Sequence, residues 1–333
     1  MCVYCTPGGI GLSTGPPGVS RETIAAGPGN VSRETLGGGA VAEYRPVLDY
    51  GASTYERDFW LGQGRDYEDR AERWALRRLL PPSGGRLVDV GAGYGRLADL
   101  YTGHAQVILL DYSADLLRDA RQRLAARPPL TVAASYYEIP LADGACDTAV
   151  MVRALHHAAD VPAVLRELRR ILRPGGTLVL EHANKCHLKA VLSYRLGRAP
   201  TPFTLEPKEF AYLNFDFHPE YIRRHLALAG FAVEEERAVS TFRLPLLKRV
   251  VPARLLAALD GVLQRPLARF HPSPSVFLRC RAVGDAGTPP PGRPLFRCPR
   301  CHAPDLRPEG PGGLVCGQCG AAWPIIEGIH LFR

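Results

Sequence analysis

The 333-residue chain has no run approaching the roughly 18–20 uncharged apolar residues that a membrane-crossing helix needs. Its N-terminus shows no basic stretch followed by an apolar one, so neither a spanning helix nor a leader is expected, and the chain reads as cytoplasmic. Lysine is scarce. Only Lys185, Lys189, Lys208 and Lys248 contribute to a formal charge of +8, so the excess is carried by arginine. Those arginines are scattered along helices and never run together. That pattern favours a solvated charged surface, while a basic balance still permits an anionic partner such as RNA. Disulfide-type cysteine usage is also lacking: of nine cysteines, Cys146, Cys186 and Cys280 stand alone, which fits reduced thiols. Apolar anchors are few in residues 1–43, a Gly/Pro-rich stretch in which VSRETI at 19–24 recurs as VSRETL at 31–36. So little apolar surface cannot offset the entropy of ordering, and disorder is expected there. Cys2 and Cys5 fall in that stretch, a Cys-x-x-Cys pair with no second pair nearby.

What is present starts at Asp66, where a charged amphipathic pattern runs to the Pro81–Pro82 break with Trp74 and Leu79 as core candidates. Strand and helix patterns then alternate. RLVDV (86–90) and QVILLD (106–111) are continuous apolar runs, and Ser113 is a good N-cap for a helix carrying Leu116, Leu117, Ala120 and Leu124 on one face. DTAVMV (147–152) is a further strand. Asp160 caps a helix with Val164, Leu165, Leu168 and Ile171 inward, and RPGG (173–176) turns the chain into TLVLE (177–181). Such alternation predicts a doubly wound α/β domain whose mostly parallel sheet is covered on both faces. We place this domain over residues 44–283, with substrate-side insertions at 185–218 and 241–272. The composition of GDAGTPPPGRP (284–294) marks a linker before a module at 295–333.

DVGAGYGR sets Gly91, Ala92 and Gly93 between a strand and a helix pattern, with Asp89 just ahead and Gly95 after. A turn of this kind bends sharply and approaches a ligand closely. Its G-x-G-x-G spacing departs from the G-x-G-x-x-G of dinucleotide sites. Asp111, ending the second strand, is placed to accept from both hydroxyls of a ribose. In order and spacing, DVGAGYGR, LLDYS, EIPLADGACDTAVM, ALHHAAD and LRRILRPGGTLVLE resemble the class I S-adenosylmethionine-dependent methyltransferases of the broad type 11 group. The resemblance covers residues 66–183. It implies a Rossmann-like, seven-stranded sheet with the last strand antiparallel and S-adenosylmethionine across the strand ends. It further implies Gly91 and Gly93 under the methionine moiety, Asp111 on the ribose, Tyr112 beside the adenine, Ser135 and Tyr136 at the adenine edge, and Arg153 near the methionine end. The group usually has Asp where Ser135 stands, a departure that raises a non-catalytic scaffold as one reading.

Methyl transfer is an in-line displacement in which alignment and a dry pocket do most of the work, and a base is needed only if the acceptor carries a proton. His156, His157, Glu181 and His182, with His187 slightly later, are the candidates for substrate contact or proton transfer, and His157, Glu181 and His182 are favoured. The aromatics Tyr194, Phe203, Phe210, Tyr212, Phe215 and Phe217 read either as a lid over an apolar acceptor or as packing within the insertion.

Cys298, Cys301, Cys316 and Cys319 form C-x2-C-x14-C-x2-C, two knuckles able to offer four thiolates to a structural zinc ion. With the following AAWPIIEGIHLF, the stretch resembles the Trm112-like zinc ribbons, small proteins or modules that associate with methyltransferases. The expected function is methyl transfer from S-adenosylmethionine to a small-molecule acceptor of lipid or quinone type, with the ribbon structural. An RNA methyltransferase that grips its substrate through the ribbon and the arginines is the alternative.

Overall fold

In a computed structural model of the chain, residues 45–49, 65–284 and 294–333 are described. The expected N-terminal disorder, Cys2 and Cys5, and nearly all of the linker lie outside the described residues. The chain runs α1 (Asp66–Leu79), β1 (Gly84–Val90), β2 (His104–Asp111), α2 (Ala114–Arg123), β3 (Leu130–Ala133), β4 (Cys146–Met151), α3 (Val161–Ile171) and β5 (Leu172–Ala183). An insertion follows, with α4 (Leu188–Arg195) and the hairpin β6 (Lys208–Ala211) and β7 (Asn214–Asp216). Then come α5 (Pro219–Leu228), β8 (Phe231–Val239), α6 (Pro245–Val250), α7 (Ala253–Ala268) and β9 (Ser275–Ala282).

Ser113 and Asp160 cap their helices as expected, their side chains accepting from the N–H groups of Leu116 and Ala163. The strands order as β3-β2-β1-β4-β5-β9-β8, with β1 to β5 parallel and β9 antiparallel to both neighbours. This is the seven-stranded, mostly parallel sheet that the resemblance implies. Alternation along the strands splits the core. Val88, Ile108, Leu110 and Leu180 pack with α3 and α5 residues such as Leu168 and Leu226. Leu87, Val150, Val179 and Phe277 pack instead with Leu76 of α1 and Leu256 of α7.

Two local differences from the sequence reading have plain causes. β3 is a strand that pattern reading passes over, because four residues are too few for a period to show. Residues 173–176 do not leave the sheet as a separate turn. They form a bulge inside β5, since Leu172 already pairs with Cys146 before the register jumps to Thr177 opposite Thr148.

Part of the insertion 241–272 packs against the sheet. α7 lies along α1, where buried Asp260 accepts from Tyr67 Oη (3.0 Å) and from the Ser240 and Thr241 N–H groups, and Gln264 donates to the Ala71 carbonyl. Residue pairing with α1 thus places α7 as a covering layer of the sheet.

The C-terminal module comprises β10 (Leu306–Pro308), β11 (Gly313–Cys316), β12 (Ala322–Ile326) and β13 (Ile329–Leu331). It is not a bead on a linker. β13 pairs in parallel with β3, Ile329 opposite Thr131 and Leu331 opposite Ala133, making one continuous sheet of 11 strands. The β3 edge, which would otherwise present an unpaired row of backbone groups, is thereby covered. Phe332 seals the join, 4% exposed within the main core, with its N–H donating to the Ala133 carbonyl at 2.8 Å.

Candidate functional site

A cleft opens at the C-terminal ends of β1, β2 and β4, where parallel α/β sheets place their ligands. The glycine turn forms its floor. Gly91 has φ +77°, and a Cβ there would sit 2.4 Å from the Ala154 Cβ, so only glycine passes between β1 and the loop after β4. Asp111 ties the turn to β2: its Oδ2 accepts from the Gly93 N–H at 2.8 Å and its Oδ1 from the Ser113 N–H at 2.9 Å. Burial raises the Asp111 carboxyl above its ordinary range against the pull of those N–H groups. Asp89 is 3% exposed and accepts from Tyr101 Oη at 2.8 Å; burial pushes it up to about 7.

The cleft is bordered by Asp89, Gly91, Ala92, Gly93, Asp111, Tyr112, Tyr136, Arg153 and His157, all named by the sequence reading. Val47, Leu48 and Arg96 also line it, and were not foreseen. His157 comes from the short helical turn Leu155–His157. Its Nδ1 lies 2.8 Å from the Leu213 carbonyl of the β6–β7 hairpin. A carbonyl only accepts, so Nδ1 carries the proton and Nε2 the lone pair. Burial lowers the imidazole's proton affinity, which keeps it neutral near pH 7.

Three expected residues are elsewhere. Ser135 does not line the cleft, and its Oγ accepts from the Tyr137 N–H at 3.1 Å, closing a local turn. Glu181 sits behind the wall, 4% exposed. Its Oε2 accepts from the Arg153 N–H at 2.9 Å and its Oε1 from Ser275 Oγ at 2.6 Å. Arg153 holds φ +55°, an unusual conformation for a non-glycine residue, so Glu181 is a positioning group for that backbone. His182 is 1% exposed, points to the other face of β5 and is held neutral, its pKa lowered to about 4 by burial. Successive strand residues face opposite sides, so Glu181 and His182 cannot serve one site. The aromatics divide as well: Phe217 is fully buried core, whereas Tyr194 and Phe203 meet edge to face at 5.9 Å on an exposed surface.

The residue that sequence reasoning missed is Glu72. It is fully buried on α1 and accepts from Arg153 Nε (2.7 Å), Arg153 Nη2 and Arg96 Nη2 (2.7 Å). Burial alone would raise its carboxyl, but the two guanidiniums outweigh that and hold it below the ordinary range. A signal existed, since Glu72 shares a helical face with Ala75, Leu76 and Leu79, and a carboxylate inside an apolar stripe needs a partner.

In the C-terminal module the four sulfurs lie within 4.8 Å of one another, with Cys298–Cys319 at 3.7 Å and Cys301–Cys316 at 3.5 Å. A tetrahedral ion with metal–sulfur bonds of about 2.3 Å sets sulfurs about 3.8 Å apart, whereas a disulfide needs about 2.05 Å. The donor set therefore fits a closed metal site. His302 and His330 are not part of it: they meet Glu138 and the Thr131 carbonyl, each at 3.3 Å.

A family described as a methyltransferase domain matches residues 88–180, which span β1 to β5 and the whole glycine-turn side of the cleft. The chain carries a methyltransferase domain. It is 34% identical over 143 residues to the 2-phytyl-1,4-naphtoquinone methyltransferase of Trichormus variabilis, covering 40% of this chain and 61% of that one. The demethylmenaquinone methyltransferase of Clavibacter sepedonicus is 28% identical over 226 residues, 64% of this chain and 91% of the relative. The malonyl-[acyl-carrier protein] O-methyltransferase of Laribacter hongkongensis is 36% identical over 148 residues, 40% and 48% respectively. The chain thus spans about six-tenths of the length of the first of these relatives.

Proposed function

We propose that this chain transfers a methyl group from S-adenosylmethionine to a small apolar acceptor of quinone or lipid type, with the C-terminal module a structural zinc ribbon. The cleft carries this reading, because it joins a glycine turn to two carboxylates, buried Asp89 and half-buried Asp111, at the ends of β1 and β2. When bound, the cofactor supplies an electrophilic methyl on a cationic sulfur. Asp111 already accepts two N–H bonds, and a carboxylate has about four lone-pair sites, so it retains capacity for the ribose hydroxyls. Asp89 offers negative charge to the cationic end of the ligand. His157, neutral and with its lone pair on Nε2, is the group suited to accept a proton from the acceptor. The naphthoquinone and menaquinone relatives support a quinone-type acceptor. Four thiolates and no open position support zinc in a structural role.

The test is purified protein with methyl-labelled cofactor and a demethylated naphthoquinone kept in its reduced, nucleophilic quinol form. Saturable cofactor binding and label in the quinone are expected. Failure to bind cofactor at millimolar concentration would overturn the enzyme reading, and binding without transfer to the quinone would overturn the acceptor.

A pH dependence follows from Asp89. Protonation below about 7 removes the charge that a cationic cofactor meets, so affinity should weaken as pH falls. With a midpoint there, the dissociation constant at pH 6 should be about tenfold that at pH 8. Calorimetry across that range checks it, and Asp89→Asn should bind weakly at both pH values with the dependence abolished.

A further inference from the structure

Three helices show apolar rows to solvent. On α4, which has no buried residue, Leu188 and Leu192, with Leu196 at the C-cap, recur every four residues and are 55%, 52% and 62% exposed. α6 exposes Leu246 (73%) and Val250 (69%), and α7 exposes Leu259 (50%) and Val262 (69%) on the side away from its buried face. Large apolar side chains exposed at this frequency along three segments point to an interaction site.

The segments that carry the three helices leave and rejoin the sheet at one end. Ala183 ending β5, Val239 ending β8 and Ser275 beginning β9 stand side by side in register. This is the end at which β1 and β4 finish, hence the end that holds the cleft. α4 starts five residues beyond Ala183 and α6 six beyond Val239. The chain leaving α7 packs back onto α4: the Leu188 N–H donates to the Pro272 carbonyl at 3.0 Å, and Asn184 Nδ2 to the His271 carbonyl at 2.9 Å.

Charge decides what covers this face. Residues 182–205 contain no acidic residue, and residues 241–272 contain one, Asp260, which is fully buried and bonded to Tyr67. Lys189, Arg195, Arg198, Arg249, Arg265 and Arg269 are all exposed there. The Arg269 guanidinium lies 4.5 Å over the Phe270 ring, itself 64% exposed, an apolar body with a cationic head.

We propose that α4, α6 and α7 dock the protein on an anionic lipid bilayer, their leucines entering the acyl boundary and their arginines meeting lipid phosphates. Apolar rows flanked by basic residues are the signature of helices that lie in a membrane interface. Among the described residues no helix is long and apolar enough to cross a membrane, so the association is with the surface. A second copy is disfavoured, because a two-fold contact would set this basic face against itself. RNA would meet the arginines but leave the leucine rows without a partner. The orientation turns the cleft end of the sheet toward the bilayer, the phase in which an apolar acceptor resides. The inference does not depend on that acceptor, since docking is read without methyl transfer.

Co-sedimentation of the full chain with vesicles tests it. Vesicles of about 30% phosphatidylglycerol in phosphatidylcholine should bind at least about tenfold tighter than phosphatidylcholine alone, with affinity falling as salt rises. Leu192→Glu with Leu246→Glu should weaken binding by about tenfold or more while cofactor affinity is retained. Should that pair fail to fold, Arg195→Glu with Arg249→Glu replaces it and should abolish the preference for anionic vesicles. Absence of vesicle binding, unchanged binding by both variants, salt-sensitive retention on RNA in place of vesicles, or a dimer disrupted by Leu192→Glu would each overturn the proposal.

Discussion

Replacing Glu72 with alanine should destabilise the methyltransferase domain by about 3 kcal/mol and lower its melting temperature by roughly 6–12 °C. The carboxylate is fully buried and bonds two guanidiniums, those of Arg153 and Arg96, whose side chains are only 17% and 11% exposed. Removing it leaves two cations facing each other in a site of low polarity. Asp69 still pairs with Arg96, which keeps the loss toward the low end of what breaking a buried pair costs. Because the Glu72 carboxyl is held below its ordinary range, its contribution is present above that range and lost only as pH falls below it. The difference between wild type and variant should therefore persist at pH 5 and shrink under stronger acid. Thermal melts at a series of pH values measure it. The same variant should bind cofactor less tightly, since Arg153 borders the cleft. A variant with the wild-type melting curve would show that the arginines repack without Glu72.

Removing the metal should have an effect as large and differently distributed. Protein isolated without chelator should carry about one equivalent of zinc, and Cys298→Ser with Cys316→Ser should carry none. Structural zinc contributes about 10–16 kcal/mol of apparent binding free energy in zinc-finger peptides, and a module of about forty residues has little core to replace it. Among the described residues its own buried set is Cys298, Ala303 and Cys316, so without the ion almost nothing holds the knuckles. The loss should not stay local. β13 pairs with β3, and Phe332 packs in the main core against Trp323 and Phe296, ring centroids 5.4 and 5.2 Å apart. Unravelling would uncover the β3 edge and invite aggregation. Calorimetric scans should show the main transition itself falling, not only a small early one disappearing. Metal-free protein that melts as the loaded form does would refute a zinc-dependent ribbon.

The outcome at Glu181 and His182 shows the limit of reading candidates from strand ends. Both leave β5 beside the site in sequence, yet one holds the Arg153 backbone and the other faces the opposite layer. A strand's period of two separates neighbours by construction, and which face meets the cleft depends on the rest of the sheet. At Ser135 the hydroxyl accepts from the Tyr137 N–H two residues on, a local bond that a motif comparison does not show.

Contacts a few residues apart were open to sequence reasoning: the alternation of strands and helices, the caps at Ser113 and Asp160, the glycine turn after β1 and the four-cysteine spacing. Each is written in local spacing, because backbone geometry imposes periods of 2 and 3.6 and a turn or knuckle spans only a few residues. Pairings across the chain were closed to it. Glu72 meets Arg153 at a separation of 81 residues, and Thr131 bonds the Gly328 carbonyl at a separation of 197. Neither separation follows from any period, and so the charge bridge behind the cleft and the ribbon's addition to the sheet edge were decided by the tertiary packing alone.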